Sequence, residues 1–189
     1  IIKPANLGSS IGITVVKTPS GFENAVELAF RYDDKVIVEK ALTDFREINC
    51  ACYKAGGKYM VSPCEEPITK NDVLTFDDKY VTPAEKQFPA RLPESVAGRI
   101  RELTAYIYRK LEFDGIIRID YLLDGETVYV NEINSVPGSL AYYLFVKDVR
   151  DFGDVLRDVI ENAIDKHLRY ESNEFFYDGG VLSPENVKK

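Results

Sequence analysis

Apolar residues recur along this chain with two different periods, and the change from one to the other outlines its elements. Val96, Ile100, Leu103, Ile107 and Leu111 repeat every three or four positions and predict a helix opening at Pro93. Phe152, Val155, Leu156, Val159, Ile160, Ala163, Ile164 and Leu168 form a second stripe and predict a helix over about 151–169. Ser20-Gly21-Phe22-Glu23 behind Pro19 has the form of a capping box and predicts a third helix, running to about residue 31. Between them, short β-branched runs predict strands over 1–3, 13–16, 36–39, 46–53, 58–61, 116–122 and 127–133, with turns at Ala55-Gly56-Gly57 and around Asp124-Gly125. Residues 63–89 carry many charges and few periodic apolar positions, so they read as a long loop, a length associated with function or disorder. The class is α+β, in one continuous unit without repeats or low-complexity tracts.

Composition narrows the partners. With 24 Lys+Arg against 31 Asp+Glu the chain carries a net charge of −7, a poor basis for wrapping nucleic acid. No apolar run approaches the ~20 residues of a membrane span, and no charged-then-apolar leader is present, so a cytoplasmic protein free of membrane is expected. Ten acids against six Lys/Arg fall between 148 and 189, which reads as a solvated helix face and an acidic tail. Cys50, Cys52 and Cys64 with a single His167 are too few soft ligands for a structural zinc, and they read as buried reduced thiols. His167 falls in the last turn of its helix, where a cation suits the dipole. The sequence opens without Met inside the apolar run Ile1-Ile2-Lys3-Pro4, as though a strand were entered midway.

The chemistry concentrates in Ile116-Ile117-Arg118-Ile119-Asp120-Tyr121-Leu122 and Val130-Asn131-Glu132-Ile133-Asn134. A carboxylate inside a buried-looking strand needs a partner, because burying it alone costs several kcal/mol. Alternation puts Arg118 with Asp120 on one face of the first strand, and Glu132 with Asn134 on one face of the second. Three oxygen-bearing side chains without His or Cys suit a hard cation, Mg²⁺ before Ca²⁺; a purely structural Arg–Asp–Glu network is the alternative. A strict two-residue Asp124-Gly125 hairpin would turn Glu132 away from Asp120, so a three-residue turn at 124–126 or a bulge is predicted. The three-residue turn would set Glu132 opposite Arg118 and one diagonal from Asp120.

Three further segments carry weaker signals. Pro137-Gly138 follows the carboxylate strand and leaves a backbone N–H that could form an oxyanion pocket with Arg118. Lys3-Pro4-Ala5-Asn6-Leu7-Gly8-Ser9-Ser10-Ile11-Gly12 could cradle phosphate oxygens, although it lacks the Walker order; taken alone it fits a flexible hairpin equally well. Val36-Ile37-Val38-Glu39-Lys40-Ala41-Leu42, then Arg46-Glu47, could meet a purine edge and ribose hydroxyls, although by itself it reads as a solvated strand end.

In order along the chain, Lys3-Pro4 with Gly8-Ser9-Ser10-x-Gly12, Glu39-Lys40, Glu47, Lys79-Tyr80, Arg118-Ile119-Asp120, Asn131-Glu132-Ile133-Asn134 and Pro137-Gly138 resemble the D-alanine–D-alanine ligase family of the ATP-grasp fold. The resemblance fades after about residue 168. It implies an ATP-grasp C-terminal domain, a mostly antiparallel sheet flanked by helices, with part of the central subdomain: 1–62 the remainder of that subdomain, 63–92 an active-site lid, 93–170 the C-terminal catalytic part and 171–189 a tail. It further implies ATP as cosubstrate, with Lys3 and Lys40 on phosphates or adenine, Glu39 and the Ala41 and Leu42 backbone on adenine, and Glu47 on ribose. Asp120, Glu132 and Asn134 would hold Mg²⁺, with Mn²⁺ as a substitute. Lys79 would reach the γ-phosphate and a substrate carboxylate, Arg118 and the Gly138 amide would stabilise the tetrahedral intermediate, and Ser9 and Tyr80 would close loops.

The implied reaction phosphorylates the carboxylate of one D-alanine, and the amine of a second D-alanine, or a related small amino acid, then displaces phosphate to give a dipeptide for peptidoglycan. Two departures stand out. The segment Phe76-Asp77-Asp78-Lys79-Tyr80 is shorter than the family's, and Tyr143, followed by Leu144, occupies the place of a Ser that receives the second substrate's carboxylate. The alternatives are an ATP-grasp ligase with another acceptor and a nucleotide- or cation-binding fragment without turnover. The family's N-terminal domain is missing from these 189 residues, so this fragment alone is expected to be inactive, with homodimerisation a question for the full-length protein.

Overall fold

Backbone pairing divides the computed structural model, which describes residues 1–8, 10–68 and 85–173, into a small ribbon-and-helix layer and a larger four-stranded sheet. In the first layer β1 (Ile2–Pro4) pairs antiparallel with β2 (Val36–Val38), and α1 (Phe22–Phe30) packs Ala25 and Ala29 against Ile2. The strand expected over 13–16 reduces to one bridge, in which Ile2 and Thr14 exchange both backbone hydrogen bonds at 2.9 Å. The capping box does not form. Pro19 stands at the first position of a tight 3-10 turn, Pro19–Gly21, and its fixed φ sets that turn before α1 begins. The Ser20 hydroxyl therefore meets Thr18, at 3.1 Å, and no side chain caps α1. Gly12 is required where it stands: its φ is +73°, and a Cβ there would lie 2.8 Å from Tyr32 and 2.9 Å from Pro4.

β3 (Arg46–Ala55) is the longest strand, and β4 (Lys58–Val61) returns beside it through Gly56-Gly57. The expected long loop over 63–89 is only partly a loop. Glu66–Ile68 (β5) pairs antiparallel with Glu85–Gln87 (β6), and residues 69–84 lie outside the described region. The bidentate pair of Arg46 with Glu66, at 2.7 and 2.6 Å, ties the start of β5 to β3, and the hydrogen bonding of Glu66 outweighs burial and holds the Arg46 guanidinium above its ordinary value. α2 (Glu94–Lys110) follows, then β7 (Ile117–Asp124) and β8 (Thr127–Asn134), giving an antiparallel sheet of order β4-β3-β7-β8.

One face of that sheet is the core. Ile48, Cys50 and Cys52 of β3 and Ile117, Ile119, Tyr121 and Leu123 of β7 pack against α2, each fully buried isoleucine contributing about 1.5–3 kcal/mol. The inward stripe of α2 is Val96, Ile100, Thr104 and Tyr108, whereas Leu111 is exposed. Thr104 and Tyr108 can enter the core because their hydroxyls are satisfied. Thr104 donates to the Ile100 carbonyl and meets the Tyr121 hydroxyl, both at 2.8 Å, and Tyr108 donates to the Gly115 carbonyl at 2.9 Å. α3 (Gly153–Glu171) begins after Phe152, which lies in a 3-10 turn. Its stripe is half covered: Phe152 and Val155 pack on Tyr53 and Ile116, while Leu156, Ile160, Ile164 and Leu168 face outward. All three cysteines are free and buried. No described helix is long and apolar enough to cross a membrane.

Candidate active site

The opposite sheet face carries the charged residues of β7 and β8, with Asp120 buried on β7 and Glu132 exposed on β8, and its geometry depends on one inserted residue. The hairpin closes through a two-residue turn, Gly125-Glu126, with Asp124 opposite Thr127, not through the three-residue turn. Carried on without interruption, that register would set Asn131 opposite Asp120. Asn131 instead bulges out of the ladder, and Asp120 stands directly opposite Glu132, with Arg118 opposite Asn134. Arg118, Asp120, Glu132 and Asn134 thus share one face.

Asp120 is 3% exposed and is held from two sides. Arg118 donates through Nε to Oδ1 at 2.6 Å and through Nη2 to Oδ2 at 2.8 Å, and the Asn134 Nδ2 donates to Oδ2 at 3.1 Å. Burial works against the charged guanidinium of Arg118, but the hydrogen bonds and attraction of Asp120 outweigh it and hold its pKa above the ordinary value. Arg118 also donates through Nη1 to the Tyr143 hydroxyl at 3.3 Å. Glu132 is exposed and has no hydrogen-bond or ion-pair partner among the described residues.

This set fits a hard cation. A carboxylate offers about four lone-pair sites, and three of those on Asp120 are used, so one remains beside the unengaged Glu132 and the Asn134 amide oxygen. Arg118, Asp120 and Glu132 sum to −1, a deficit that a cation would neutralise. Among the described residues no group of three or more His, Cys, Asp or Glu gathers as a metal cage, on this face or elsewhere, so two acids and one amide would need further oxygens from a phosphate ligand.

The remaining expected residues fall into separate places. Lys3 on β1 and Glu39 just beyond β2 meet at 2.6 Å, and the Ile1 and Glu39 backbones pair. Lys40 is exposed and Ala41 and Leu42 are half-buried on the way to β3. Glu47 lies on β3 opposite Leu122, on the same face as Asp120. Among the described residues no hydrogen bond or ion pair joins the Lys3–Glu39 pair to the Arg118–Asp120 pair. Gly138 opens a 3-10 segment, Gly138–Leu144, and a Cβ there would meet nothing within 4 Å. Ser139, Leu140 and Ala141 follow with φ of 51°, 51° and 49°, a left-handed run costing about 1–2 kcal/mol per residue, offset by burying Ala141 and Leu144 against Ala51. Leu144 is therefore a core side chain, with only its backbone left for a substrate, and Tyr143 turns toward Arg118. Ser9, Lys79 and Tyr80 lie outside the described residues.

Sequence reasoning passed over three residues beside this face. Glu65 is 2% exposed; it accepts from the Asn49 Nδ2 at 3.2 Å and pairs with the Lys86 Nζ at 3.4 Å. Asn49 stands opposite Asp120, and its buried Oδ1 has no hydrogen-bond partner among the described residues. Lys86 lies 4.2 Å from the centre of the Tyr143 ring. Alternation along β3 puts Asn49 on the same face as Glu47, but nothing in Cys64-Glu65-Glu66-Pro67 marks Glu65 as buried.

This sheet is of the ATP-grasp class, as the solved structures that resemble it show. The structure of the D-alanine-D-alanine ligase from Coxiella burnetii matches with a TM-score of 0.72 and 28% identity, over 90% of this chain and 46% of that one. The VanG D-Ala:D-Ser ligase from Enterococcus faecalis matches with a TM-score of 0.62 and 31% identity, over 75% of this chain and 41% of that one. The family model for the D-ala D-ala ligase C-terminus matches residues 1–165, and the chain belongs to that family. The D-alanine–D-alanine ligase of Phocaeicola vulgatus is 42% identical over 166 residues, 85% of this chain and 51% of its own length. The chain spans about half the length of the curated relatives it matches.

Proposed function

We propose that this chain is the C-terminal catalytic region of an ATP- and Mg²⁺-dependent carboxylate–amine ligase that joins two D-alanine molecules through an acyl phosphate, for peptidoglycan synthesis in the cytoplasm. The observation that carries the reading is the bulge at Asn131, which brings Asp120, Glu132 and Asn134 onto the face that holds Arg118. Those three would hold Mg²⁺, with Mn²⁺ as a substitute, and the cation would supply neutralisation of phosphate charge. Lys3, Glu39, Lys40, Glu47 and the Ala41 and Leu42 backbone would bind the nucleotide, and Lys79 would bind its γ-phosphate.

Arg118 does the acyl-transfer work in this reading. Asp120 fixes its plane through two parallel hydrogen bonds, so the guanidinium is oriented before substrate arrives. Among the described residues three of its five N–H groups are engaged, which leaves two for an oxygen that gains charge as the amine adds to the acyl carbon. The Gly138 N–H, with open space over its Cα, would be the second donor. Ser9 and Tyr80 would close loops over the site.

A second reading, the same chemistry with another acceptor amino acid, is favoured by two observations: Tyr143 stands against Arg118 where the acceptor would sit, and one of the similar structures is a D-Ala:D-Ser ligase. Phosphate release measured on the full-length gene product with ATP, Mg²⁺ and D-alanine tests the first reading; a panel of acceptor amino acids tests the second. No amino-acid-dependent phosphate release would remove both. The 189 residues alone are expected to form no dipeptide.

A further inference from the structure

We propose that Lys86 binds the carboxylate of the acceptor amino acid, the one whose amine attacks; this rests on the ligase reading above. An α-amino acid acting as a nucleophile leaves its carboxylate unreacted, two bonds from the attacking nitrogen. A site that selects amino acids over simple amines therefore needs a cation with free donors close to the acyl carbon.

Two cations grip Tyr143. Arg118 donates to its hydroxyl, and the Lys86 ammonium lies 4.2 Å from the centre of its ring. They differ in what else holds them. The Arg118 charge is balanced by Asp120 in a bidentate pair. Among the described residues Lys86 has one salt bridge, 3.4 Å to Glu65, and its side chain is 47% exposed, so two of its three donors are not engaged there. Glu65 cannot follow Lys86 outward, because it is 2% exposed and shared with the Asn49 amide. The buried carboxylate and the Tyr143 ring therefore fix where the ammonium stands, and its open donors lie one tyrosine ring from Arg118. A ligand carboxylate placed there would share the ammonium with Glu65, while its amine lies toward Arg118 and Gly138. Side-chain ammonium groups with a fixed stem and free donors are suited to such monodentate recognition.

Steady-state kinetics on the full-length gene product test the assignment, with D-alanine and D-alaninamide compared as acceptors. Lys86→Met raises the apparent KM for D-alanine at the acceptor site about tenfold or more with a smaller change in kcat, and it narrows the preference for D-alanine over the amide by a similar factor. Lys86→Gln, which can still hydrogen-bond to Glu65, gives the same loss and serves if Lys86→Met does not fold. An unchanged acceptor KM, or a lowered activity with the D-alanine preference intact, overturns the assignment while leaving the ligase reading standing. A wild-type protein without D-alanine-dependent phosphate release overturns the reading itself, and this inference with it.

Discussion

Asp120 on β7 stands directly opposite Glu132 on β8, and Asn131 is displaced from the ladder to put it there. The side-chain period of a strand is two, so one extra residue decides whether the second carboxylate faces the first or faces away. Most of the chemistry proposed for this chain depends on that single offset.

Deleting Asn131 should be tolerated. It removes the bulged residue and leaves Glu132 opposite Asp120 in a regular ladder, so Mg²⁺-dependent nucleotide binding by the full-length protein persists. Inserting one alanine between Asn131 and Glu132 turns Glu132 to the other face, and calorimetric titration should show that binding lost. The opposite ranking of the two variants would refute the register argument.

Arg118→Met should be strongly destabilising. It leaves the Asp120 carboxylate, 3% exposed, with only the Asn134 amide, and the expected loss is about 3–5 kcal/mol in urea unfolding. A loss below about 1 kcal/mol would mean that the pair is solvated and contributes little.

Stability should fall on the alkaline side. Burial pushes the Cys52 thiol up from 9.0 to about 12, so the folded state keeps a proton that the unfolded state loses. The contribution is complete below pH 9 and disappears as pH rises toward 12. Cys52→Ala should flatten this part of the stability curve, and a curve of unchanged slope would count against the buried thiol as its source.

Asp33 should act in the opposite direction. The Asn6 backbone N–H donates to it at 2.6 Å, and with the Lys35 N–H and the Asn6 amide this outweighs desolvation and holds the carboxyl below its usual 3.8. Its contribution is present above pH 3.8 and is lost as pH falls through the lowered value. Amide exchange at Asn6 should speed up over that acidic range, and Asp33→Asn should remove the pH dependence.

Where burial follows hydrophobic period, the fold was legible in the amino-acid order. Alternation in 116–122 and 127–133 gave the central hairpin, and Val96 and Ile100 gave the inner face of α2. Thr104 and Tyr108 were not legible, since their burial depends on hydroxyl partners supplied by Ile100, Tyr121 and Gly115. The two-residue turn escaped for a related reason: an odd loop and a bulge shift the phase equally, and only backbone pairing separates them. The stripe of α3 over-reached, because a helical period reports an apolar face without saying how much of it the domain covers. At the site, Arg118, Asp120, Glu132 and Asn134 stood out as charges inside strands. Glu65 and Lys86 did not, because their meeting depends on how β5 and β6 fold back beside β3.

Glu132 offers the most direct test of the central claim, because it is exposed and has no partner among the described residues. Asp120 variants confound cation binding with stability, whereas Glu132→Gln should leave unfolding free energy within about 0.5 kcal/mol of wild type. The decisive measurement is the Mg²⁺ dependence of D-alanine-stimulated phosphate release by the full-length Glu132→Gln protein. The Mg²⁺ concentration for half-maximal release should rise by at least about tenfold. A requirement equal to wild type, with the variant equally stable, would contradict a cation site on this face.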